Sequence, residues 1–211
     1  MLRRGAAIAG SPLKRAFDVA FAAAGLALSS PVWLLLALAV KLDDRGPVFF
    51  RQGRSGLNGR VFSVLKFRSM RTDAERRGAR QAVANDPRVT RVGRWMRATA
   101  MDELPQLWNI LMGDMSVVGP RALRPGEIEA HGPGVFERLE DVPGFAVRSA
   151  VRPGLTGVAQ IYAARNLPRR QKFRYDRLYI RRQSPALDLG LVLLSFWISL
   201  SGAWEARGER K

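Results

Sequence analysis

The chain has 211 residues, 47% of them hydrophobic, with 35 Lys and Arg against 18 Asp and Glu, a net charge of +17, no cysteine and one histidine. That length supports one domain with its own core, and the missing thiols exclude disulfides and thiolate metal sites. His131 lies in a Gly/Pro-rich HGPG loop without a ligand-like spacing, so neither a Ser-His-Asp triad nor a histidine metal centre is indicated. The basic excess calls for a polyanion: nucleic acid, anionic lipid or a phosphorylated substrate.

The first predicted element is the apolar run 16–40, AFDVAFAAAGLALSSPVWLLLALAV. At 1.5 Å per residue it is long enough to cross a hydrocarbon core of about 30 Å. Ser29, Ser30 and Pro31 interrupt its middle, where proline removes a backbone donor and divides the run into two halves. Basic residues flank both ends, with Arg3, Arg4, Lys14 and Arg15 before and Lys41, Arg45, Arg51 and Arg54 after, so the positive-inside rule places both ends on the cytoplasmic side. The expectation is a re-entrant helix-break-helix, with Ser30 and Pro31 at the break and a serine hydroxyl serving a carbonyl that Pro31 leaves free. The run is too long, and lacks an Ala-x-Ala site after it, for a cleavable signal. Residues 1–45 therefore read as an N-terminal segment with its membrane helix, and 46–211 as the domain that carries the chemistry.

Val48–Gln52 and Val61–Phe67 are rich in β-branched and aromatic residues around a GRSGLNG link, which predicts a β-hairpin. Lys66 and Arg68 alternate about Phe67 on one face, either as a solvated edge or as an anion-facing pair. Residues 71–90 read as a surface helix and loop, with a turn at Asp86-Pro87.

Residues 97–121, RATAMDELPQLWNILMGDMSVVGPR, carry adjacent carboxylates at Asp102 and Glu103. Neighbours on a helix point about 100° apart, so the two share one space only at a first turn, where free N–H groups and the helix dipole keep both ionised. Leu104, Leu107, Trp108 and Leu111 then form an apolar stripe and Gly113 a stop. Simple N-terminal capping and an active-site pair both fit this pattern.

Further on, 122–150 reads as a helix and connecting loop, Arg152 to Gly157 (RPGLTG) as a turn, and 158–162 as a short strand. The basic segment RRQKFRYDRLYIRR, with interleaved aromatics, suits a lipid surface or a nucleic acid. Leu187 to Trp204 is apolar enough to span. Asp188, Gly190 and several serines, and a basic tail (Arg207, Arg210, Lys211) that spanning would place outside, favour an interfacial helix. The fold class is α/β, α-rich, with a small β-hairpin.

The ordered motifs Lys14-Arg15…Asp18, Ser30-Pro31, Gly46-Pro47-Val48-Phe49, Lys66-Phe67-Arg68-Ser69-Met70, Asp102-Glu103-Leu104-Pro105-Gln106, Gly113 through Arg121 and Arg152 through Gly157 resemble the bacterial sugar transferases, from about residue 13 to 190. These are small monotopic phosphoglycosyl transferases acting on a polyprenyl phosphate. The resemblance implies a re-entrant membrane helix, a catalytic domain with interfacial amphipathic helices on the cytoplasmic face of the bacterial inner membrane, and Mg²⁺ dependence. It implies Asp102 as the nucleophile on the β-phosphate of a UDP-sugar, releasing UMP. Polyprenyl (undecaprenyl) phosphate then takes the phosphosugar from the aspartyl intermediate, as the first membrane step of a polysaccharide or glycan.

It implies that Glu103 assists at Mg²⁺ or at the acceptor phosphate, with both carboxylates as candidate metal ligands, and that Lys66, Arg68, Arg97, Pro120, Arg121, Arg152 and Thr156 bind substrate. Pro120-Arg121-Ala122 departs from the family's Pro-Arg-Pro. The expected partners are UDP-sugar, polyprenyl phosphate and an anionic phospholipid membrane, not nucleic acid, with a homo-oligomer left open. The competing class is a membrane-anchored basic module for nucleic acid or acidic polymer, which leaves the Asp-Glu pair without a task and sets it against a phosphate backbone.

Overall fold

The computed structural model describes residues 10–74, 86–130, 136–164, 167–202 and 204; His131, most of the expected 71–90 surface helix and the basic tail lie outside them. The first helix, α1, is Pro12–Asp44. Ser11 starts it by accepting a hydrogen bond from the Lys14 amide at 3.2 Å, Pro12 occupies the first turn, and Arg45 ends it at φ 58°.

The helix runs on through Pro31, in place of the expected break into two helices. Proline at 31 deprives the Ala27 carbonyl of its N–H partner, and the Ser30 hydroxyl donates to that carbonyl at 2.8 Å. The Trp33 indole donates to Ser29 Oγ at 3.0 Å. The serines thus let the helix continue where proline would otherwise end it.

Three small sheets and six shorter helices follow among the described residues. Strands β1 (Phe49–Ser55) and β2 (Val61–Phe67) form the predicted hairpin, antiparallel, with Phe49 opposite Phe67. The first strand runs past its expected end at Gln52, because Arg54 and Ser55 pair with Phe62 and Val61. The link turns through Asn58 at φ 52° and Gly59 at φ 78°, in the left-handed region that glycine and asparagine tolerate.

Helix α2 (Arg91–Ala98) and α3 (Gln106–Met112) flank the acidic pair. The buried face of α3 holds Gln106, Leu107, Asn109 and Ile110, while Trp108 is half exposed, a rotation from the expected stripe. Asn109 explains the rotation: its Oδ1 accepts from the Leu65 amide at 3.0 Å and its Nδ2 donates to the Ser63 carbonyl at 2.8 Å, so it serves the open edge of β2.

Residues 122–150 contain β4 (Ile128–Ala130), β5 (Phe136–Arg138) and the short α4 (Phe145–Ser149), more strand than expected. Gly154–Thr156 is a strand, β6, paired in parallel with β3 (Ser116–Val118), and 158–162 is the helix α5 (Val158–Tyr162). The glycine of RPGLTG serves close backbone approach, because a Cβ on Gly154 would meet the Gly119 amide at 2.0 Å. In α5 the buried residues Val158, Ala159 and Ile161 follow helical spacing, and packing overrides the β-branched propensity.

The basic segment is helix α6 (Arg169–Arg182) and the last apolar run is α7 (Pro185–Leu200). At 16 residues α7 is about 24 Å long, short of a bilayer core. By length and composition α1 is long and apolar enough to cross a membrane.

Helix α1 packs on the domain at both ends. Ala22 joins the main core of Val64, Leu107, Ile110, Val117, Tyr179 and Leu191, and Leu36 and Val40 join a second cluster with Phe67 and Met96. Between these contacts Leu28, Leu34, Leu35, Leu38 and Leu42 are more than half exposed, as are Leu189, Leu193, Phe196, Trp197 and Leu200 on α7. The N-terminal junction is polar and buried. Asp18 accepts from Lys14 Nζ, the Ser116 hydroxyl and the Val117 amide, each at 3.0 Å, and Lys14 Nζ lies 3.1 Å from Asp188. Asp18→Ala leaves the Val117 amide without a partner, so it should destabilise the protein by about 2–3 kcal/mol, read as a lower unfolding midpoint in detergent.

Candidate active site

Asp102 and Glu103 stand on a single 3₁₀ turn, Met101–Glu103, entered through Ala100 in the left-handed region at φ 57°. This turn precedes α3, and no side chain caps it or α3. Capping is therefore not what the two carboxylates do. The Glu103 carboxylate instead pairs with Lys66 Nζ from β2 and lies 3.7 Å from Arg121 Nη2. Asp102 is 7% exposed, and among the described residues its carboxylate makes no hydrogen bond or ion pair.

The surroundings split the two acids. Burial pushes the Asp102 carboxyl up to about 6; Lys66 opposes this, the Glu103 charge adds to it, and Arg97 and Arg121 oppose it further. Burial also works against ionised Glu103, but Lys66 and Arg121 outweigh it and hold that carboxyl below its usual range. Both acids are thus ionised near neutral pH through these cations, not through a helix N-terminus. If Asp102 must be ionised to act, the rate of its step should fall about tenfold per pH unit below about 6, readable in a rapid-quench pH profile. The stability sign is opposite. Between about 4 and about 6 the folded chain keeps the Asp102 proton that the unfolded chain has lost, so this group's contribution to stability falls as pH rises through that window.

The pair faces a cavity of about 1740 Å³. Its lining is charged at Lys66, Arg97, Asp102, Glu103 and Arg121 and apolar at Phe21, Leu28 and Val32 of α1 and Leu193, Phe196 and Leu200 of α7. Thr156 lines the same space, its hydroxyl sharing a hydrogen bond with that of Ser195. Pro120 is buried beside it, its carbonyl accepting from the Gly154 amide at 2.9 Å.

Two expected substrate ligands are engaged elsewhere. Arg68 lines the cavity too, but its guanidinium forks onto the Asp44 carboxylate at the end of α1 and donates to the Pro47 carbonyl. Arg152 is not among the residues that line the cavity; its Nε donates to the Gly113 carbonyl at 2.9 Å, at the end of α3. Two residues at the cavity were not foreseen. Arg54, hidden in what reads as a turn, lies on β1 and spans Gln52 Oε1 and the Ala122 carbonyl. Arg148 is buried against Asp176 at 2.8 Å and has no local sequence signal. For Arg54 the i, i+2 spacing to Gln52 was the available clue.

The family model described as bacterial sugar transferase matches residues 9–202. A Komagataeibacter xylinus protein named undecaprenyl-phosphate glucose phosphotransferase is 46% identical over 190 residues, covering 86% of this chain and 35% of that protein. The exopolysaccharide production protein PSS of Rhizobium leguminosarum bv. phaseoli is 44% identical over 186 residues, 85% of this chain and 91% of its own length. The UDP-glucose:undecaprenyl-phosphate glucose-1-phosphate transferase of Escherichia coli (strain K12) is 44% identical over 188 residues, 87% of this chain and 39% of that protein. The chain thus spans little more than a third of the first and third of these relatives and nine-tenths of the second.

Proposed function

Because the chain belongs to the bacterial sugar transferase family, we propose that it moves a phosphosugar from a UDP-sugar to a polyprenyl phosphate such as undecaprenyl phosphate, with Asp102 as the covalent carrier. One observation carries this reading. A buried carboxylate that makes no hydrogen bond or ion pair among the described residues shares with three cations a cavity that is also lined by apolar side chains of two helices. Such a space holds both a diphosphate and a lipid tail, which a binding module for a polymer does not need.

In the first half-reaction an Asp102 carboxylate oxygen attacks the β-phosphorus of the donor. The bond from that phosphorus to the bridging oxygen breaks, and UMP leaves with the electron pair. In the second, a phosphate oxygen of the lipid acceptor attacks the same phosphorus, the acyl-phosphate P–O bond breaks, and Asp102 is regenerated. Phosphoryl transfer asks mainly for positioning and charge neutralisation, which Lys66, Arg97 and Arg121 supply around the equatorial oxygens.

Glu103 stays ionised between the two cations, pairing with Lys66 and lying 3.7 Å from Arg121 Nη2. No group of three or more metal-ligating side chains occurs among the described residues. Mg²⁺ commonly takes one or two carboxylates and completes its shell with substrate phosphates and water, and Asp102 and Glu103 fit that pattern. When bound there, the metal would neutralise diphosphate charge.

Both ends of α1 dock on one domain, at Asp18 and at Asp44, which supports a re-entrant helix with both ends on the cytoplasmic face of the inner membrane. The exposed leucines of α1 and α7 then meet lipid, and the basic residues of α6 meet anionic headgroups. The chain has no cysteine, so single cysteines at Gly10 and at Arg51, which flank α1, are unambiguous reporters. Both should resist an impermeant thiol reagent added from the periplasmic side; protection of only one contradicts the re-entrant path.

The activity itself is tested by incubating the purified protein with Mg²⁺, undecaprenyl phosphate and a panel of UDP-sugars. UMP release that requires both substrates for sustained turnover is the expected result.

A further inference from the structure

The segment that carries Arg121 is held at every carbonyl. The Pro120 oxygen accepts from the Gly154 amide at 2.9 Å and the Leu123 oxygen from the Ser55 amide at 2.8 Å. Between them the Arg121 oxygen accepts from Arg148 Nη2 and the Ala122 oxygen from Arg54 Nη1, the latter at 3.0 Å. Strands thus hold the outer two carbonyls and guanidiniums hold the inner two.

Each guanidinium is itself fixed. Arg148 is 5% exposed, its Nε donates to Asp176 at 2.8 Å and its carbon lies 4.8 Å from the Phe173 ring centroid. Arg54 donates through Nη2 to Gln52 at 2.6 Å.

Arg121 needs such support. Its side chain is 49% exposed and reaches Glu103 only at 3.7 Å, a geometry in which a long, mobile side chain loses most of its Coulomb gain to entropy and solvent. Neighbouring cations also oppose it. Burial and the charges of Arg121 and Arg124 bring the Arg54 guanidinium down to about 10, so Arg54 and Arg121 repel one another. Fixing the backbone on both sides of the Arg121 side-chain origin lets the cations stand together around Glu103.

We propose that Arg54 and Arg148 are positioning residues of the transfer site, which hold the Ala122 and Arg121 carbonyls and so keep the Arg121 guanidinium directed at Glu103. The proposal rests on the transferase reading above. Neither guanidinium has to touch substrate for this role. Lysine at either position keeps the charge but loses the rigid fork that spans two partners, while at 148 it leaves Asp176 a counter-charge and so protects the fold.

The test is a double-mutant cycle. Arg54→Lys and Arg148→Lys should each slow the UMP burst by about ten- to a hundredfold, the range for loss of a residue that orients a reacting group. In an Arg121→Ala background each should slow it by less than about threefold, because residues that act through a third lose their effect when that third is gone. Hydrogen–deuterium exchange in detergent supplies a readout independent of turnover: amides of residues 119–124 should exchange faster in both lysine variants.

Full, additive losses in the Arg121→Ala background, or unchanged exchange at 119–124, overturn the proposal. If the wild-type protein releases no UMP from any UDP-sugar, the transferase reading fails, and the exchange data alone then decide whether the two arginines hold the segment.

Discussion

Asp102→Asn should abolish both the UMP burst and steady turnover, a loss of at least about 10⁴-fold, of the order seen when a nucleophile is removed from a covalent mechanism. The substitution is nearly isosteric, and Asp102 makes no hydrogen bond or ion pair among the described residues that the amide would break. An amide cannot form the acyl phosphate. The folded protein should not be weakened, because the ionised Asp102 is a buried charge that asparagine removes. Loss of activity with an unchanged or raised unfolding midpoint is therefore the expected pattern. Glu103→Gln is the informative companion. It removes the charge that pairs with Lys66 and faces Arg121 but leaves the Asp102 carboxylate, so turnover should fall while some UMP burst remains.

The second large effect lies with the cations. Arg121→Ala and Arg97→Ala should each cost about 3–4 kcal/mol of transition-state stabilisation, the loss that follows removal of one preorganised donor. For Arg121 the reason is double: the guanidinium lies beside Glu103, where the phosphates of the proposed donor would add negative charge, and it helps to keep Glu103 ionised. For Arg97, its charge favours the ionised form of Asp102. The loss should appear in kcat/KM for the UDP-sugar. Arg68→Lys, by contrast, should leave the UMP burst within about threefold, because Arg68 is spent on Asp44 and Pro47 and not on the acidic pair. Equal, small losses at Arg97, Arg121 and Arg68 would mean that these arginines serve general adhesion to lipid.

Parts of this architecture were legible from the sequence because local chemistry and tertiary packing agree there. The second hairpin strand, 61–67, has the predicted bounds, and Gly113 ends α3 at φ 93° as its position demands. Ser30 does serve the Ala27 carbonyl, as the Ser-Pro spacing suggested. Other parts depend on contacts that spacing does not encode. Gly154 looks like a turn glycine, yet its reason is the Gly119 backbone across a parallel pair. Trp108 fits the apolar stripe by periodicity, but Asn109 turns the helix to serve β2.

At the candidate site the ordered motifs singled out Asp102 and Glu103, and the resemblance implied different roles for them, but nothing in the sequence showed the electrostatic difference between them. That difference comes from Lys66, 37 positions away in the chain, which pairs with Glu103, whereas Asp102 makes no hydrogen bond or ion pair among the described residues. Lys66 and Arg68 alternate about Phe67 and looked alike, whereas the structure sends them to different acids, Glu103 and Asp44. Arg148 had no signal, since a buried arginine and its aspartate 28 positions apart carry no local pattern.

The covalent step is the central claim, and trapping it is the most direct measurement. Wild-type protein incubated with a UDP-sugar and Mg²⁺, without lipid acceptor, should release about one UMP per site and carry one phosphosugar on the peptide containing Asp102. The adduct should disappear on adding undecaprenyl phosphate, and initial rates against the two substrates should give parallel lines. A mass spectrum with no adduct on that peptide, together with intersecting lines, would contradict the account and leave direct attack by the lipid phosphate as the mechanism.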